Sequence, residues 1–403
     1  MKCFQPRALI VLFMLTFSTV PASLAQNFQV LYAFPGCAAG RYPGGGLLPL
    51  PNGNLIGAAA GGACEPYGSG LIYELTPAGT EIVVYTFNGS DGDGPVLAFG
   101  DGSGGVYGTT SGGGTSGNGT IFHLDSSGHL QTLYSFKGNP DASDPGGLTR
   151  DAAGNFYGDS YIGGAHNAGT VFKLDKNGKE SVIYSFTGVR DGALPSSWSL
   201  IIDNTGNIYG TTFAGGTSGC FGGGCGVVYK INAAGKETVL HFFSDKNGGG
   251  TAPKSLLQDS NGNLYGSTTR GGNPACEGGC GTLFELSPSG AIGWKEKTLY
   301  EFEDGNDGSG ALGPLFFNNA GDILGTTGDS LYQCSGSACG TVFDLSQKGL
   351  KTIYTFQLSD GEAPFLWFSG NSGTFYGTTL SGGDLECIDD EFYGCGTVFS
   401  ISP

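Results

Sequence analysis

Three short signatures recur in a fixed order, seven times each, and this repetition constrains the fold more than any other feature. The first, Tyr-Gly-Thr-Thr, is complete at Tyr209–Thr212, and its leading dipeptide falls at Ile56-Gly57, Tyr107-Gly108, Tyr157-Gly158, Tyr209-Gly210, Tyr265-Gly266, Leu324-Gly325 and Tyr376-Gly377. The second, Gly-Thr-Val-Phe-x-Leu, begins in exact or variant form at Gly70, Gly119, Gly169, Gly226, Gly281, Gly340 and Gly396. The third, Leu-Tyr-x-Phe, ends at Phe34, Phe87, Phe136, Phe186, Phe243, Phe302 and Phe356.

Each signature has the character of a β-strand. The runs are short, rich in β-branched and aromatic residues, and bounded by Gly, Asn and Asp, and no segment has helical periodicity. We name the strands a (before an Asp-x-x-Gly-Asn turn such as Asp203–Asn207), b (Tyr-Gly-Thr-Thr), c (Gly-Thr-Val-Phe) and d (Leu-Tyr-x-Phe). Four strands in each repeat of about fifty residues are typical of a propeller blade. The sequence therefore predicts an all-β fold, a seven-bladed β-propeller of four-stranded antiparallel blades.

The two ends of the chain predict how the ring closes. The first strand, Val30–Phe34, is a lone d strand, whereas the last repeat has strands a, b and c around Phe365, Tyr376 and Phe399 but no d. The counts match if the N-terminal strand completes the last blade, which also removes an exposed sheet edge. The alternative is an open solenoid, which would more naturally begin and end on whole repeats with polar caps.

The repeat resembles the Gloeo/Verruco (GloVer) tandem repeat of exported bacterial proteins. The resemblance rests on the Tyr-Gly-Thr-Thr, Gly-Gly and Gly-Thr-Val-Phe-x-Leu elements and covers nearly all of the chain after its N-terminus. It implies a propeller-like fold and export. It implies no established activity and no catalytic residues.

Residues 1–25 are predicted to be a cleavable signal peptide, and residues 26–403 one propeller domain. Lys2 and Arg7 precede the mostly apolar stretch Ala8–Val20, and small residues stand at Ser23 and Ala25 before a cleavage point. The apolar stretch is too short to remain as a membrane span. We therefore expect a secreted or periplasmic protein.

Composition narrows the choice of partners. The formal charge is −17, and no basic patch offsets it, so the chain would repel the phosphates of a nucleic acid. Glycine accounts for 77 of 403 residues, yet aromatic residues reach 12%, a combination that indicates tight turns between packed strands rather than disorder. We expect no nucleic-acid partner and no transmembrane segment, and a monomer is the favoured state.

The long loops predict which face could bind a ligand. The d-to-a and b-to-c loops share one face and vary in length, whereas the a-to-b and c-to-d turns are short, and binding residues concentrate on long loops. Each d-to-a loop ends in a proline that suits the start of a strand: Pro43, Pro95, Pro145, Pro195, Pro253, Pro314 and Pro364. The candidate ligand-binding carboxylates of these loops are Asp91, Asp141, Asp191, Asp307 and Asp360.

Two interpretations of these carboxylates remain open. Asp-Gly pairs are common turn chemistry, in which the side chain bonds its own backbone. Alternatively, the carboxylates form an acidic collar around the channel mouth that binds a cationic or polyhydroxylated ligand or Ca²⁺, which takes several oxygen ligands. The candidate calcium ligands are Asp91 and Asp93 in one loop and Asp304 and Asp307 in another.

The cysteines predict disulfide bonds. Ten of the eleven follow the signal peptide, an even number in an exported chain. The predicted pairs are Cys37–Cys64, Cys220–Cys225, Cys276–Cys280, Cys334–Cys339 and Cys387–Cys395. Their spacing would also suit zinc, but the pairs lie on separate blades and no histidine stands beside them.

No motif of nucleophilic, phosphate-binding or metalloprotease chemistry occurs in the sequence. Carbohydrate stacking could involve Trp198, Trp294 or Trp367, although the first and last fall in or near strand a and are expected in the core. The favoured hypothesis is a non-catalytic exported binding or scaffold propeller that recognises an extracellular or envelope glycan or protein. The alternative is an extracellular propeller enzyme that acts on carbohydrates or lactones through channel-mouth carboxylates, with or without calcium.

Overall fold

The structure is a computed structural model, and every named element in its described part is a β-strand. It describes residues 27–36, 39–61, 68–196, 198, 200–220, 223–245, 249–276, 278–290, 293–328, 339–370, 373–387 and 393–402. The predicted signal peptide lies outside these residues. So do Cys37, Cys64 and Cys334.

The strands form seven antiparallel sheets. Blades 1 and 2 contain β2 (Leu47–Pro49), β3 (Leu55–Ala59), β4 (Leu71–Leu75) and β5 (Glu81–Thr86), then β6 (Asp93–Gly100), β7 (Val106–Gly112), β8 (Thr120–Leu124) and β9 (Leu130–Ser135). Blades 3 and 4 contain β10 (Ala142–Arg150), β11 (Phe156–Gly163), β12 (Thr170–Leu174) and β13 (Glu180–Ser185), then β14 (Ala193–Pro195), β15 (Ile201–Ile202), β16 (Ile208–Ala214), β17 (Val227–Ile231) and β18 (Glu237–Phe242). Blades 5 and 6 contain β19 (Gly250–Gln258), β20 (Leu264–Gly271), β21 (Thr282–Pro288) and β22 (Trp294–Glu301), then β23 (Phe316–Phe317), β24 (Ile323–Thr327), β25 (Thr341–Ser346) and β26 (Gly349–Thr355). Blade 7 contains β27 (Glu362–Ser369), β28 (Phe375–Ser381), β29 (Thr397–Ser402) and β1 (Asn27–Ala33).

The N-terminal strand closes the ring, as the sequence predicts. Strand β1 pairs antiparallel with β29, with Val30 opposite Phe399 and Ala33 opposite Thr397. The order β1-β29-β28-β27 completes the last blade. The seven-bladed, four-stranded architecture is confirmed, with one irregularity: strand a of blade 4 is split into β14 and β15, both of which pair with β16.

The Tyr-Gly-Thr-Thr glycine is required because an aromatic ring of strand c covers it. In blade 2, Gly108 pairs with Phe122, and a Cβ on Gly108 would lie 2.6 Å from the Phe122 ring and 2.4 Å from the carbonyl oxygen of Val96. Every blade repeats this cross-strand pair: Gly57–Tyr73, Gly108–Phe122, Gly158–Phe172, Gly210–Tyr229, Gly266–Phe284, Gly325–Phe343 and Gly377–Phe399. Because the glycine has no side chain, there is room for the strand-c aromatic ring, which is among the largest fully buried side chains of the protein.

The strand-d phenylalanine joins each blade to the next. Phe136 of blade 2 is fully buried and meets Phe172 of blade 3 with a centroid separation of 4.9 Å and an interplanar angle of 63°. Such inclined aromatic pairs contribute about 0.5–1.5 kcal/mol beyond the area that they bury. All seven interfaces contain one: Phe34–Tyr73, Phe87–Phe122, Phe136–Phe172, Phe186–Tyr229, Phe243–Phe284, Phe302–Phe343 and Phe356–Phe399. The contacts run around the whole ring, including across the closure.

Disulfide bonds cross-link residues within the b-to-c loops. The pairs Cys220–Cys225, Cys276–Cys280 and Cys387–Cys395 are confirmed, and Cys339 is disulfide-bonded. The predicted pair Cys37–Cys64 lies outside the described residues, as does the predicted partner of Cys339. Disulfides of this kind are typical of an oxidising compartment outside the cytoplasm. In the described part of the chain, no helix is long and apolar enough to cross a membrane.

Candidate functional site

Each of the five aspartates selected from the sequence lies against the outermost strand, strand d, that precedes it in the chain. Each carboxylate accepts a hydrogen bond from the hydroxyl of the preceding strand-d tyrosine: Tyr85–Asp91 (2.6 Å), Tyr134–Asp141 (2.9 Å), Tyr184–Asp191 (2.9 Å), Tyr300–Asp307 (2.9 Å) and Tyr354–Asp360 (2.7 Å). Each also accepts a backbone N–H of its own loop, as Asp141 does from Lys137. These bonds tie the d-to-a loop to strand d. Ligand binding by these residues stays a prediction.

The calcium candidates occupy two separate loops. Asp93 and Asp304 are exposed, and Asp304 has a left-handed backbone with φ of 59°. Asp307 accepts N–H groups from Glu303 and Gly305 at 3.0 and 3.3 Å, so its oxygens already serve the loop. In the described part of the chain, one group brings three metal-ligating residues together, Cys220, Cys225 and Asp245, and its two cysteines are joined as a disulfide. Calcium binding also remains a prediction.

The inner strands converge on the mouth of the central channel, where blades 2 to 5 form a pocket of about 400 Å³. This mouth pocket is lined by Val96, Asp144, Pro145, Gly146, Gly147, Asp159, Tyr161, Pro195, Ser196, Trp198, Phe213 and Lys254. It lies on the face of the d-to-a and b-to-c loops, which the sequence analysis favoured. Its volume falls in the usual range for small-ligand sites, roughly 300–1,000 Å³.

Two charged residues of the mouth pocket break the repeat. Asp159 occupies the place of the first threonine in Tyr-Gly-Thr-Thr, held by Thr109 in blade 2, and is 2% exposed. The Thr109 hydroxyl donates to the carbonyl oxygen of Gly146 in the next blade at 2.7 Å. An ionised carboxylate cannot donate such a hydrogen bond. An ionised Asp159 therefore cannot take the structural role that Thr109 has in blade 2.

The second departure is Lys254, which follows the strand-a proline of blade 5. The corresponding residues of the other blades are uncharged: Gly44, Val96, Gly146, Ser196, Leu315 and Phe365. Burial lowers the pKa of Lys254, and the negative charge of Asp159 raises it in opposition. Its ammonium lies 5.6 Å from the centroid of the Trp198 ring, within cation–π range. Blades 3 and 5 thus place opposite charges on either side of blade 4.

A third charged residue, Asp144, enters the pocket from blade 3. It precedes Pro145 with a left-handed φ of 56°, a position that is also left-handed at Tyr42, Gly94, Leu194, Ala252 and Ala363. Burial raises the pKa of Asp144, which favours its protonated form relative to an aspartate in water. Beside it, the Ser196 hydroxyl is buried and has no hydrogen-bond partner in the described structure. A ligand hydroxyl could satisfy Ser196.

Aromatic side chains supply the remaining walls. Tyr161 is 38% exposed, Phe213 is half-buried, and Trp198 comes from the 196–200 segment that separates β14 from β15. The indole N–H of Trp198 donates to the carbonyl oxygen of Leu312 in blade 6 at 2.6 Å. The ring also meets Phe365 and Trp367 of blade 7, each with a centroid separation of 5.4 Å. Trp198 therefore reaches across the channel instead of continuing its strand.

The pocket combines aromatic rings with side chains that donate hydrogen bonds and side chains that accept them. Sequence reasoning identified its face but not Asp144, Asp159, Tyr161 or Lys254. The signal was the departure from the repeat at Asp159 and Lys254, whereas the sequence analysis selected the aspartates that recur. Trp294, by contrast, lies in the outer strand β22, and Trp367 lies in the channel below the pocket.

A family model of the Gloeobacter/Verrucomicrobia repeat matches residues 15–222 and 199–403. The chain belongs to this family. The two matches together span nearly the whole sequence and confirm the resemblance drawn from the repeated signatures. Comparison with curated proteins found no match.

Solved structures similar to this Gloeobacter/Verrucomicrobia repeat protein include two extracellular domains from B. thetaiotaomicron. One belongs to a putative hybrid two-component system, with a TM-score of 0.57, 12% identity, and coverage of 94% of this chain and 41% of that chain. The other belongs to a putative one-component system, with a TM-score of 0.56, 12% identity, and coverage of 93% and 39%. A gluconolactonase from Xanthomonas campestris has a TM-score of 0.45, 14% identity, and coverage of 76% and 84%. The chain thus spans about two fifths of the first two proteins, and at these identities the likeness shows the fold alone.

Proposed function

We propose that this protein is an exported, non-catalytic binding propeller whose mouth pocket holds one or two sugar units of an extracellular or envelope glycan. The observation that carries the proposal is the convergence of Asp159 and Lys254, two charged departures from the repeat, with three aromatic side chains in one pocket. The predicted signal peptide and the disulfides support a location in the periplasm or outside the cell.

The chemistry of the lining suits a polyhydroxylated ligand. The faces of Tyr161 and Phe213 can pack against the C–H faces of a sugar ring, because these aromatic groups offer apolar area at small entropic cost. Carboxylate oxygens accept hydrogen bonds from sugar hydroxyls, and the Lys254 ammonium donates them. The buried Ser196 hydroxyl adds another hydrogen-bonding group. Because an unsatisfied buried hydroxyl is costly, a hydrogen bond between a ligand and Ser196 would stabilise the complex.

A glycan array, followed by calorimetry with the best-bound glycan, tests this function. Tyr161→Ala is expected to weaken binding about tenfold, or about 1.4 kcal/mol, because it removes a stacking surface at the pocket rim. The matched control is Tyr393→Ala, which removes a tyrosine that is 46% exposed in a b-to-c loop of blade 7, outside the pocket. Equal loss in both variants, or no glycan bound by the wild type, would contradict the proposal.

One observation favours a second candidate, a carbohydrate- or lactone-acting enzyme. Burial raises the pKa of Asp144, and a carboxyl that holds its proton more tightly than a free aspartate is suited to act as a general acid. Asp159 then offers the second carboxyl that glycoside chemistry requires. Turnover of aldonolactones or nitrophenyl glycosides by the wild type, with at least a hundredfold loss in Asp144→Asn and little loss in Asp141→Asn, would establish this alternative.

A further inference from the structure

The central channel below the mouth pocket contains a second cavity, of about 290 Å³. Its lining comes from the inner strands of the ring and is mostly aliphatic or aromatic: Gly46, Leu47, Leu48, Leu97, Ala98, Leu148, Trp198, Ser255, Leu256, Leu257, Pro314, Leu315, Phe316 and Trp367. None of these residues carries a formal charge. We call this space the channel cavity.

The polar side-chain atoms of this lining are already hydrogen-bonded. The Ser255 hydroxyl oxygen accepts the backbone N–H of Leu315 at 3.2 Å. The indole N–H of Trp367 donates to the Thr378 hydroxyl at 2.8 Å, and that of Trp198 is engaged by Leu312. Both indole donors are therefore engaged, and the Ser255 hydroxyl is the side chain of this lining that can still donate a hydrogen bond. The lining as a whole is mostly apolar and favours an apolar guest.

The shape of the cavity suits an unbranched chain. Consecutive residues Gly46–Leu48 of blade 1 and Ser255–Leu257 of blade 5 all line it, and three strand residues extend about 7 Å along the channel. Hydrogen bonds between neighbouring blades, such as Leu97 N–H to the Gly45 carbonyl at 2.6 Å, draw the inner strands together. An apolar cavity of about 150 Å³ is sufficient to bind benzene, so this space has room for a chain of about six carbons.

Trp198 is the wall shared by the two spaces, because it lines both the mouth pocket and the channel cavity. A ligand that occupied both would present its polar part to Lys254, Asp144 and Tyr161 and its apolar part to the leucines below. The indole would have to turn away from Leu312 to let such a ligand pass.

We infer that the channel cavity is a binding site for an alkyl or acyl chain, and that the ligand of this protein is a glycan bearing such a chain. The site for the alkyl or acyl chain is inferred from the cavity alone, whereas the link between that chain and a sugar rests on the proposed function. The two parts are therefore tested with different probes.

The test of the cavity uses 1-hexanol, which needs no sugar. Calorimetry of the wild type is expected to show saturable binding of 1-hexanol and at least tenfold weaker binding of 1,6-hexanediol, because the second hydroxyl would lose its hydration in a mostly apolar lining. Ala98→Leu, which adds three carbons to the cavity wall, is expected to weaken 1-hexanol binding at least tenfold. The matched control Ala234→Leu, in an exposed c-to-d turn, is expected to leave it unchanged.

A second readout places the probe without depending on the folding of Ala98→Leu. Bound 6-bromo-1-hexanol is expected to quench the fluorescence of Trp198 and Trp367, so Trp294→Phe keeps the quenching while Trp367→Phe loses part of it. Tyr161→Ala is expected to weaken glycan binding about tenfold and to bind 1-hexanol as the wild type does. Absence of saturable 1-hexanol binding, or quenching confined to Trp294, would overturn the site for the alkyl or acyl chain. A wild type that binds 1-hexanol but no glycan would overturn only the proposed function.

Discussion

The glycine beneath each strand-c aromatic ring makes a quantitative prediction about packing. Gly108→Ala would place a methyl carbon 2.4 Å from the Val96 carbonyl oxygen and 2.6 Å from the Phe122 ring. The oxygen belongs to the adjacent strand and cannot rotate away, so β6, β7 and the ring must all shift. Overpacking of this kind costs about 1–3 kcal/mol, and occasionally more.

A compensating effect acts in the unfolded chain. Replacing glycine by alanine where the backbone is compatible stabilises a protein by about 0.4–1 kcal/mol, because fewer unfolded conformations are lost. Gly108 has an ordinary strand backbone, so both effects apply to it. The net expectation is a loss of about 1–2 kcal/mol. Gly377→Ala should cost at least as much, since its methyl would lie 2.3 Å from the Phe365 carbonyl oxygen.

Urea unfolding with the disulfides intact measures this loss. The matched control is Gly100→Ala at the end of β6, where the nearest atom to the new methyl would be 3.7 Å away and only the unfolded-state effect remains. The double variant Gly108→Ala/Phe122→Leu should show a positive coupling, because the smaller side chain relieves one of the two clashes. If Gly108→Ala is as stable as Gly100→Ala, the explanation for the repeated glycine is wrong.

Three further predictions concern charge, metal and disulfides. Burial and the negative charge of a nearby aspartate raise the pKa of both Glu180 and Glu237 to about 7. The folded state therefore binds the protons of these two carboxyls more tightly than the unfolded state does. Their contribution to the free energy of unfolding is complete below about pH 4.5 and is lost as the pH rises through 7. The thermal midpoint should fall over that window, and less so in the Glu180→Gln/Glu237→Gln variant; an identical fall in both proteins would refute the assignment. Calcium binding by Asp91 and Asp93 in one loop and by Asp304 and Asp307 in the other predicts saturable heat with Ca²⁺, of which Asp307→Asn should lose only the share of the second loop. A wild type without heat or thermal shift would end that hypothesis. Reduction of Cys220–Cys225 should lower stability by roughly 2 kcal/mol on the loop-entropy relation, which unfolding of Cys220→Ser/Cys225→Ser measures; an unchanged midpoint would mean that the bond does not constrain the unfolded chain.

Sequence periodicity was sufficient for the fold because the repeated residues are the ones that pack. Gly108 and Phe122 meet across strands, Phe136 meets the next blade, and the missing d strand of blade 7 leaves one partner for β1. Each of these follows from a pattern in the chain. The local pairing of Cys220 with Cys225 was predictable for the same reason, since the two lie in one short loop.

The site was less predictable because loop direction is not encoded in spacing. Asp141 was expected near the channel mouth, but its carboxylate turns toward the hydroxyl of Tyr134 on the outer strand. Asp159 and Lys254 face the same pocket from blades 3 and 5, and nothing in the sequence says that blade 4 between them would leave its inner strand open at Trp198. The mouth pocket is thus marked in the sequence by residues that depart from the repeat, whereas the sequence analysis selected aspartates that recur.

The pairing of β1 with β29 also sets an order of events as the chain is made. Of the described strands, Asn27–Ala33 is made first and its partner Thr397–Ser402 is made last, so β1 stays unpaired while the strands between them are made. Until then six finished blades present a gap bordered by unsatisfied backbone groups, a template for pairing with another molecule. Nascent or clipped chains that lack either end are thus the forms of this protein in greatest need of a chaperone.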